Sequence, residues 1–269
     1  MIKITSFSNP KIKDVVKLRE RRERTKTGLT VIDGIREVEA AIKAGVEVTD
    51  IFICPALYEG QIQGDVDAIV QGVDFQKVEI FEVTKEIFGK ICFGERSEGI
   101  LVLVRAKVKT IKDLKVKKNP IFMLIESVEK PGNLGAILRT CDASGIDALL
   151  VCDPATDIYN PNVIRASLGT VFNVDVIAGS TEEIAGFLKS HKIKVVAATP
   201  AGKKNYTTLD FRVGVALAVG SEKDGLSKFW LEAADEKAFI PMKGQADSLN
   251  TSVAAALMAY EVLRQRETS

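Results

Sequence analysis

The chain has 269 residues, enough for two modest domains that each bury a core. Hydrophobic residues make up 46% of it, yet no run reaches the roughly 18 to 20 unbroken apolar residues of a membrane helix. The opening MIKITSFSNPKIKD has no apolar secretory core, so a soluble cytoplasmic protein is expected, and the 37 basic and 36 acidic residues exclude a uniformly charged surface.

In chain order, SNPKIKDVVKLRERRER predicts a helix, with Ser8 or Asn9 as cap and Ile12, Val15, Val16 and Leu18 at roughly helical spacing. Residues 1–24 hold eight basic side chains against three acidic ones. The cations Lys11, Lys13, Arg19, Arg21, Arg22 and Arg24 read either as a phosphate-binding patch or as an ordinary solvated helix face. The β-branched runs LTVID, TDIFIC, KVEIFEV and GILVLV predict strands, and GIREVEAAIKAG, the region 66–73 and TKEIFGKI predict helices between them. Residues 1–105 thus form one α/β module. The lysine-rich stretch 106–119 reads as a linker extended by like charges.

A second α/β module occupies residues 120–269. Its strands IFMLI, ALLVC, VDVI, KVVAAT and VALAVG are apolar without alternation, the pattern of a parallel sheet covered on both faces. Helices are expected over Leu134–Ser144, Glu182–His191, Lys228–Ala234 and Leu249–Gln265. Cys54, Cys92, Cys141 and Cys152 show no C-x-x-C spacing and read as buried free thiols. His191 is the only histidine and falls at a helix end, which removes Ser-His, Cys-His and multi-histidine metal chemistry unless His191 serves alone, and no metal is expected.

Three loops of the second module combine glycine with polar groups at strand ends, where open α/β sheets bind ligands. In ESVEKPGNLGAILRTCDASG, Pro131 and Gly132 break the chain, Asn133 can cap the helix, and Arg139 lies within it. In VALAVGSEKDGLS, a buried strand runs into Gly220, Ser221, Glu222 and Gly225. In FIPMKGQADSLNTSVAAALMAYEVLRQR, Ser248 can cap, and Ala254 to Ala256 make a small-residue face for close approach of another element or another subunit. Neither a G-x-x-x-x-G-K-[ST] loop nor a G-x-G-x-x-G after a strand is present, which counts against a nucleotide-dependent oxidoreductase.

Together, PGNLGAILRT, GSEKDGLS and IPMKGQADSLNTSVAAALMAYE resemble, in order and spacing, the three motifs of the SpoU/TrmH family of RNA 2′-O-ribose methyltransferases in the SPOUT superfamily. The likeness spans essentially the whole chain, the first module resembling the ribosomal-protein-like substrate-binding domain that precedes many such catalytic domains. It implies a C-terminal α/β domain with a parallel sheet and a deep trefoil knot, a homodimer with sites at the subunit interface, and S-adenosylmethionine as cofactor. It also implies RNA as substrate, large-subunit ribosomal RNA being preferred and transfer RNA the alternative, with a catalytically inactive RNA-binding protein as the rival. By position, Asn133, Arg139, Glu222, Ser248 and Asn250 match the family's active-site residues, and Thr199, Pro200, Ala201, Gly202, Gly220, Ser221, Ile240, Met242 and Leu249 its cofactor-binding backbone. The resemblance turns the N-terminal cations into candidate RNA contacts. An arginine with a pKa above about 12 makes a poor general base, so Arg139 is expected to bind phosphate and stabilise a developing alkoxide. Lys223 and Asp224 depart from the small residues frequent in the second motif and put its loop shape in question.

Overall fold

The computed structural model describes residues 1–58, 62–74, 77–94, 98–106, 108–154 and 157–268. Contacts divide the chain into two compact units: Met1–Lys107 with Tyr159–Asn173, and Val108–Ile158 with Val174–Ser269.

The first unit runs β1 (Ile2–Ile4), α1 (Pro10–Lys17), α2 (Arg21–Thr27), β2 (Leu29–Asp33), α3 (Ile35–Lys43), β3 (Glu47–Ile53), α4 (Ile62–Gln71), β4 (Glu79–Val83), α5 (Lys85–Ile91) and β5 (Ile100–Arg105). Its mixed sheet has the order β1-β4-β3-β5-β2, with β5 antiparallel to both β3 and β2. Asn9, not Ser8, caps α1, its side chain accepting from Lys11 N, with Pro10 at the first helical position where no amide is needed. Ile12, Val15 and Leu18 are buried against Phe81, Ile87, Phe88 and Ile91.

The single helix expected over residues 8–24 is two. Glu20 is extended, and the buried Arg24 guanidinium reaches back to the carbonyls of Leu18 (2.6 Å) and Arg19 (2.8 Å). One charged side chain thus satisfies carbonyls that the break leaves open.

The second unit contains β6 (Ile121–Glu126), α6 (Pro131–Ser144), β7 (Ala148–Cys152), β8 (Val176–Gly179), α8 (Thr181–Ser190), β9 (Lys194–Ala198), β10 (Lys204–Asn205), β11 (Val215–Val219), α9 (Lys228–Ala233), β12 (Glu236–Phe239) and α10 (Thr251–Glu267). Between β7 and β8, helix α7 (Pro161–Ala166) leaves this unit and packs with the first, where Arg165 Nη1 pairs with Asp33 Oδ1 at 3.0 Å and Thr30 donates to the Tyr159 carbonyl. The seven strands are ordered β10-β12-β9-β11-β6-β7-β8, and every recorded pairing is parallel. From β6 the chain steps outward through β7 and β8, then returns to the opposite side of β6 for β11, β9, β12 and β10. That reversal opens a crevice at the carboxyl ends of the strands.

Residues 108–119, expected as a linker, belong to the second unit. Lys109 bridges Ile177 in parallel register beside β8, a capping box at Thr110 and Asp113 starts a short 3-10 turn, and Lys117 pairs with Asp147 at 2.8 Å. All four cysteines are buried free thiols, and burial pushes the Cys141 thiol up to about 12. His191 caps the carboxyl end of α8, its ring against Phe187.

Candidate active site

Strands β9, β11 and β12 end side by side, and the segments that follow them line a cleft of about 260 Å³. Its walls are Ala198, Val219, Ile240, Leu249 and Ala254, with the polar groups of Thr199, Ser221 and Ser248 at the edges. Thr199, Pro200, Gly220, Ser221, Ile240, Met242 and Leu249, all proposed from sequence as cofactor contacts, line it; Ala201 and Gly202 do not. A Cβ on Gly202 would lie 2.5 Å from the Ala238 carbonyl carbon, so that glycine permits close packing on β12 instead.

The loop after β11 is tightly closed. Ser221 and Gly225 exchange both backbone hydrogen bonds, at 3.1 and 3.0 Å, and Asp224 N donates to Ser221 Oγ. A Cβ on Gly220 would fall 2.0 Å from the Gly225 carbonyl carbon, so only glycine fits there. Lys223 and Asp224, which put this loop's shape in question, are accommodated on its exposed tip.

Beside the cleft, the start of α6 and the cap of α10 bring their polar side chains onto one carboxylate of the loop after β11. Glu222 Oε1 accepts from Asn133 Nδ2 and from Asn250 Nδ2 (2.8 Å), and Asn250 Nδ2 also lies 3.3 Å from Asn133 Oδ1. Asn250 is the N-cap of α10: its Oδ1 accepts from Ser252 N at 2.9 Å, which fixes the amide so that Nδ2 points to Glu222. Ser248, the expected cap, instead lies exposed at the cleft edge. Asn133 is not a cap either. Helix α6 starts at Pro131, with Lys130 at the cap position, and Asn133 stands in the first turn. No acidic residue lies in that turn, so Glu222 supplies from another loop the negative charge that a helix N-terminus favours. The Lys130 ammonium on Oε2 (2.8 Å), with the two amides, holds the Glu222 carboxyl below the usual carboxylate range.

Arg139 does not join this cluster. It is exposed on α6, and among the described residues no hydrogen bond or ion pair holds its guanidinium. Six residues from Asn133, it stands on a different side of the helix.

The N-terminal cations divide. Lys11 is held by Asp50 and Glu79 (both 2.6 Å), Arg19 by the carbonyls of Lys90 and Cys92, and Arg24 is buried. Lys13, Arg21 and Arg22 are exposed. Sequence reasoning passed over two residues of the site. Lys130 lies one position before the first motif, and Thr251, whose hydroxyl donates to the Gly220 carbonyl at 2.7 Å, ties α10 to the loop after β11. The signal for Thr251 was its place next to Asn250; for Lys130 there was only its nearness to Pro131.

The sequence profile of the SpoU rRNA Methylase family matches residues 120–260, and that of the MRM3-like substrate binding domain matches residues 9–102. The chain belongs to the SpoU rRNA methylase family. It is 30% identical, over 97% of its own length and 99% of the other's, to the 23S rRNA (guanosine(2553)-2′-O)-methyltransferase RlmP of Bacillus subtilis. A crystal structure described as an RNA 2′-O ribose methyltransferase matches 99% of this chain and 100% of its own, with a TM-score of 0.86 and 37% identity. An AdoMet-bound rRNA methyltransferase from Sinorhizobium meliloti matches 97% of each chain, with a TM-score of 0.89 and 25% identity.

Proposed function

We propose that this member of the family methylates a ribose 2′-hydroxyl of large-subunit ribosomal RNA with S-adenosylmethionine, as a cytoplasmic homodimer. The observation that carries the reading is the convergence of Asn133 from the first turn of α6, Glu222 from the loop after β11 and Asn250 from the cap of α10, beside an apolar cleft at the carboxyl ends of β9, β11 and β12. The full-length likeness to an enzyme of 23S rRNA supports ribosomal RNA over transfer RNA. No helix among the described residues is long and apolar enough to cross a membrane.

The cleft fits the cofactor. Val219, Ile240, Leu249 and Ala254 offer apolar walls for a flat base, and two carboxylates, Glu222 and Asp247, line a space that must take a sulfonium cation. When bound, S-adenosylmethionine would supply an electrophilic methyl to the ribose oxygen and leave as S-adenosylhomocysteine, the hydroxyl proton passing to an RNA phosphate, to water or to a transiently neutral arginine. The protein's part is alignment and charge. Glu222 and Ser248 stand at the polar edge of the cleft, and Glu222 anchors the amides of Asn133 and Asn250 beside it. Glu222 already accepts three donors and its proton affinity is lowered, so it serves as an anchor and not as the base.

Two features support the dimer. Helix α10 is apolar on more than its inner face: Ala255, Met258, Ala259 and Val262 are buried, while Val253 and Tyr260 remain 45% and 49% exposed. Arg139, meanwhile, stands outside its own chain's cluster, where it is free to serve a site completed by a second copy. The same reading includes the trefoil knot, supported by the passage of residues 240–249 along the cleft from the end of β12 and by the Thr251–Gly220 hydrogen bond. The test is transfer of labelled methyl from S-adenosylmethionine to purified ribosomal and transfer RNA, followed by mapping of 2′-O-methylation. Labelled large-subunit RNA is expected. Label in transfer RNA alone would move the substrate, and label in neither would leave the protein an RNA binder.

A further inference from the structure

Lys130 lies at the N-cap position of α6 and forms no capping bond with its own helix. A cation there is unfavourably placed, because the helix N-terminus is itself a positive pole. Its side chain is 73% exposed and would lose nothing by extending into water, yet it turns onto Glu222 Oε2 at 2.8 Å. The other oxygen, Oε1, carries both amides. The carboxylate therefore has one edge for the lysine and one for the site.

We propose that Lys130 is a positioning residue of this site: by occupying Oε2 it fixes the plane of the Glu222 carboxylate, so that Oε1 holds the amides of Asn133 and Asn250 together. The inference rests on the function proposed above only where it predicts transfer rates; the tie between Lys130 and Glu222 stands on geometry. The charged groups around Glu222 are Lys130 from α6, its neighbour Lys223 on the same loop, and Asp247, which lines the same cleft; Glu129 lies beside Lys130 in sequence. Of these, Lys130 is the one that touches the carboxylate.

The physical consequence concerns pH. A carboxylate whose pKa is lowered in the folded protein keeps its network above its ordinary pKa and loses it as pH falls through the lowered value. Without the Lys130 ammonium, Glu222 takes up its proton at higher pH; the neutral carboxyl holds the two amides more weakly than the carboxylate does, and its new O–H needs an acceptor of its own. An exposed ion pair is weak and is screened by salt, so the effect of its loss shrinks at high ionic strength.

The experiment is a carbon-13 NMR titration of the glutamate carboxyls in the full-length protein, with Glu222→Gln for assignment, comparing wild type, Lys130→Met and Lys130→Arg. Single-turnover methyl transfer is measured across the same pH range. In Lys130→Met, Glu222 is expected to titrate at higher pH and the acid limb of the rate to move with it, with less than about a threefold loss at pH 8 and a deficit that grows as pH falls, in keeping with a weak exposed pair. Lys130→Arg keeps the wild-type profile, and 0.5 M salt narrows the gap. An unmoved Glu222 titration overturns the tie itself. A moved titration with an unmoved acid limb, or a uniform drop at every pH, overturns the positioning role. If wild type transfers no methyl to any RNA, the proposed function fails, while the NMR titration still decides whether Lys130 holds Glu222.

Discussion

Arg139 gives the sharpest separation between stability and chemistry. Its side chain is exposed on α6, and among the described residues nothing holds its guanidinium, so Arg139→Ala removes no buried apolar area and no internal hydrogen bond. A surface change of that kind alters folding free energy by no more than about 0.5 kcal/mol, which for a chain of this size shifts the Tm by less than about 2 °C. Affinity for S-adenosylmethionine should also be nearly intact, because Arg139 does not line the cleft. Methyl transfer should nevertheless fall on the order of 10² to 10³, or about 2.7 to 4 kcal/mol, the loss typical of one donor aimed at developing charge. Arg139→Lys should recover little, since an ammonium lacks the planar fork that holds two oxygens at once. The assay is single-turnover transfer to RNA beside calorimetry of cofactor binding and a thermal melt. A mutant that loses several degrees of Tm along with activity would assign the arginine a structural role at an interface, and one that keeps the full transfer rate would remove it from the mechanism.

Five further outcomes are expected. Asn250→Asp should keep the α10 cap but set a second carboxylate against Glu222 Oε1, so that transfer drops while stability falls less than in Asn250→Ala, where a lost cap costs about 0.5 to 2 kcal/mol in denaturant titrations. Gly220→Ala, with its Cβ 2.0 Å from Gly225, should open the loop after β11 and abolish calorimetric cofactor binding. Neutralising Lys13 and Arg22 should flatten the log-log salt dependence of RNA binding by about 0.7 to 0.9 per lost phosphate contact. Arg24→Ala should instead destabilise the protein by about 1.5 to 3 kcal/mol, the scale of hydrogen bonds from a charged donor. Sedimentation should give a dimer of the 29.3 kDa chain, and Tyr260→Glu on α10 should shift it toward monomer; a monomeric wild type at micromolar concentration would refute the interface.

The sequence made the second sheet legible because its strands are unbroken apolar runs, and a run such as VALAV can hardly be anything but a strand buried on both faces. The same criterion passed over β12: EKAF carries two charges and buries only Ala238, yet it closes one wall of the cleft because β9 offers it a paired edge. Local pattern reports burial, and a strand recruited mainly by backbone pairing leaves little trace in it. Helix starts were misplaced for a related reason. Ser248 and Asn250 are both good caps by chemistry, and what selects Asn250 is that its amide also meets Glu222, a contact 28 residues away in sequence. The N-terminal cations show the converse. Eight basic residues in 24 look like one patch, but folding assigns Lys11 to two carboxylates, Arg19 to two carbonyls and Arg24 to the break between α1 and α2. Charge counted along the chain measures what is available to a polyanion only after those internal partners are removed. For the site itself, the motifs named the residues that converge, whereas the lysine that steadies their shared carboxylate could be found only once the loop carrying Glu222 was seen to return to the start of α6.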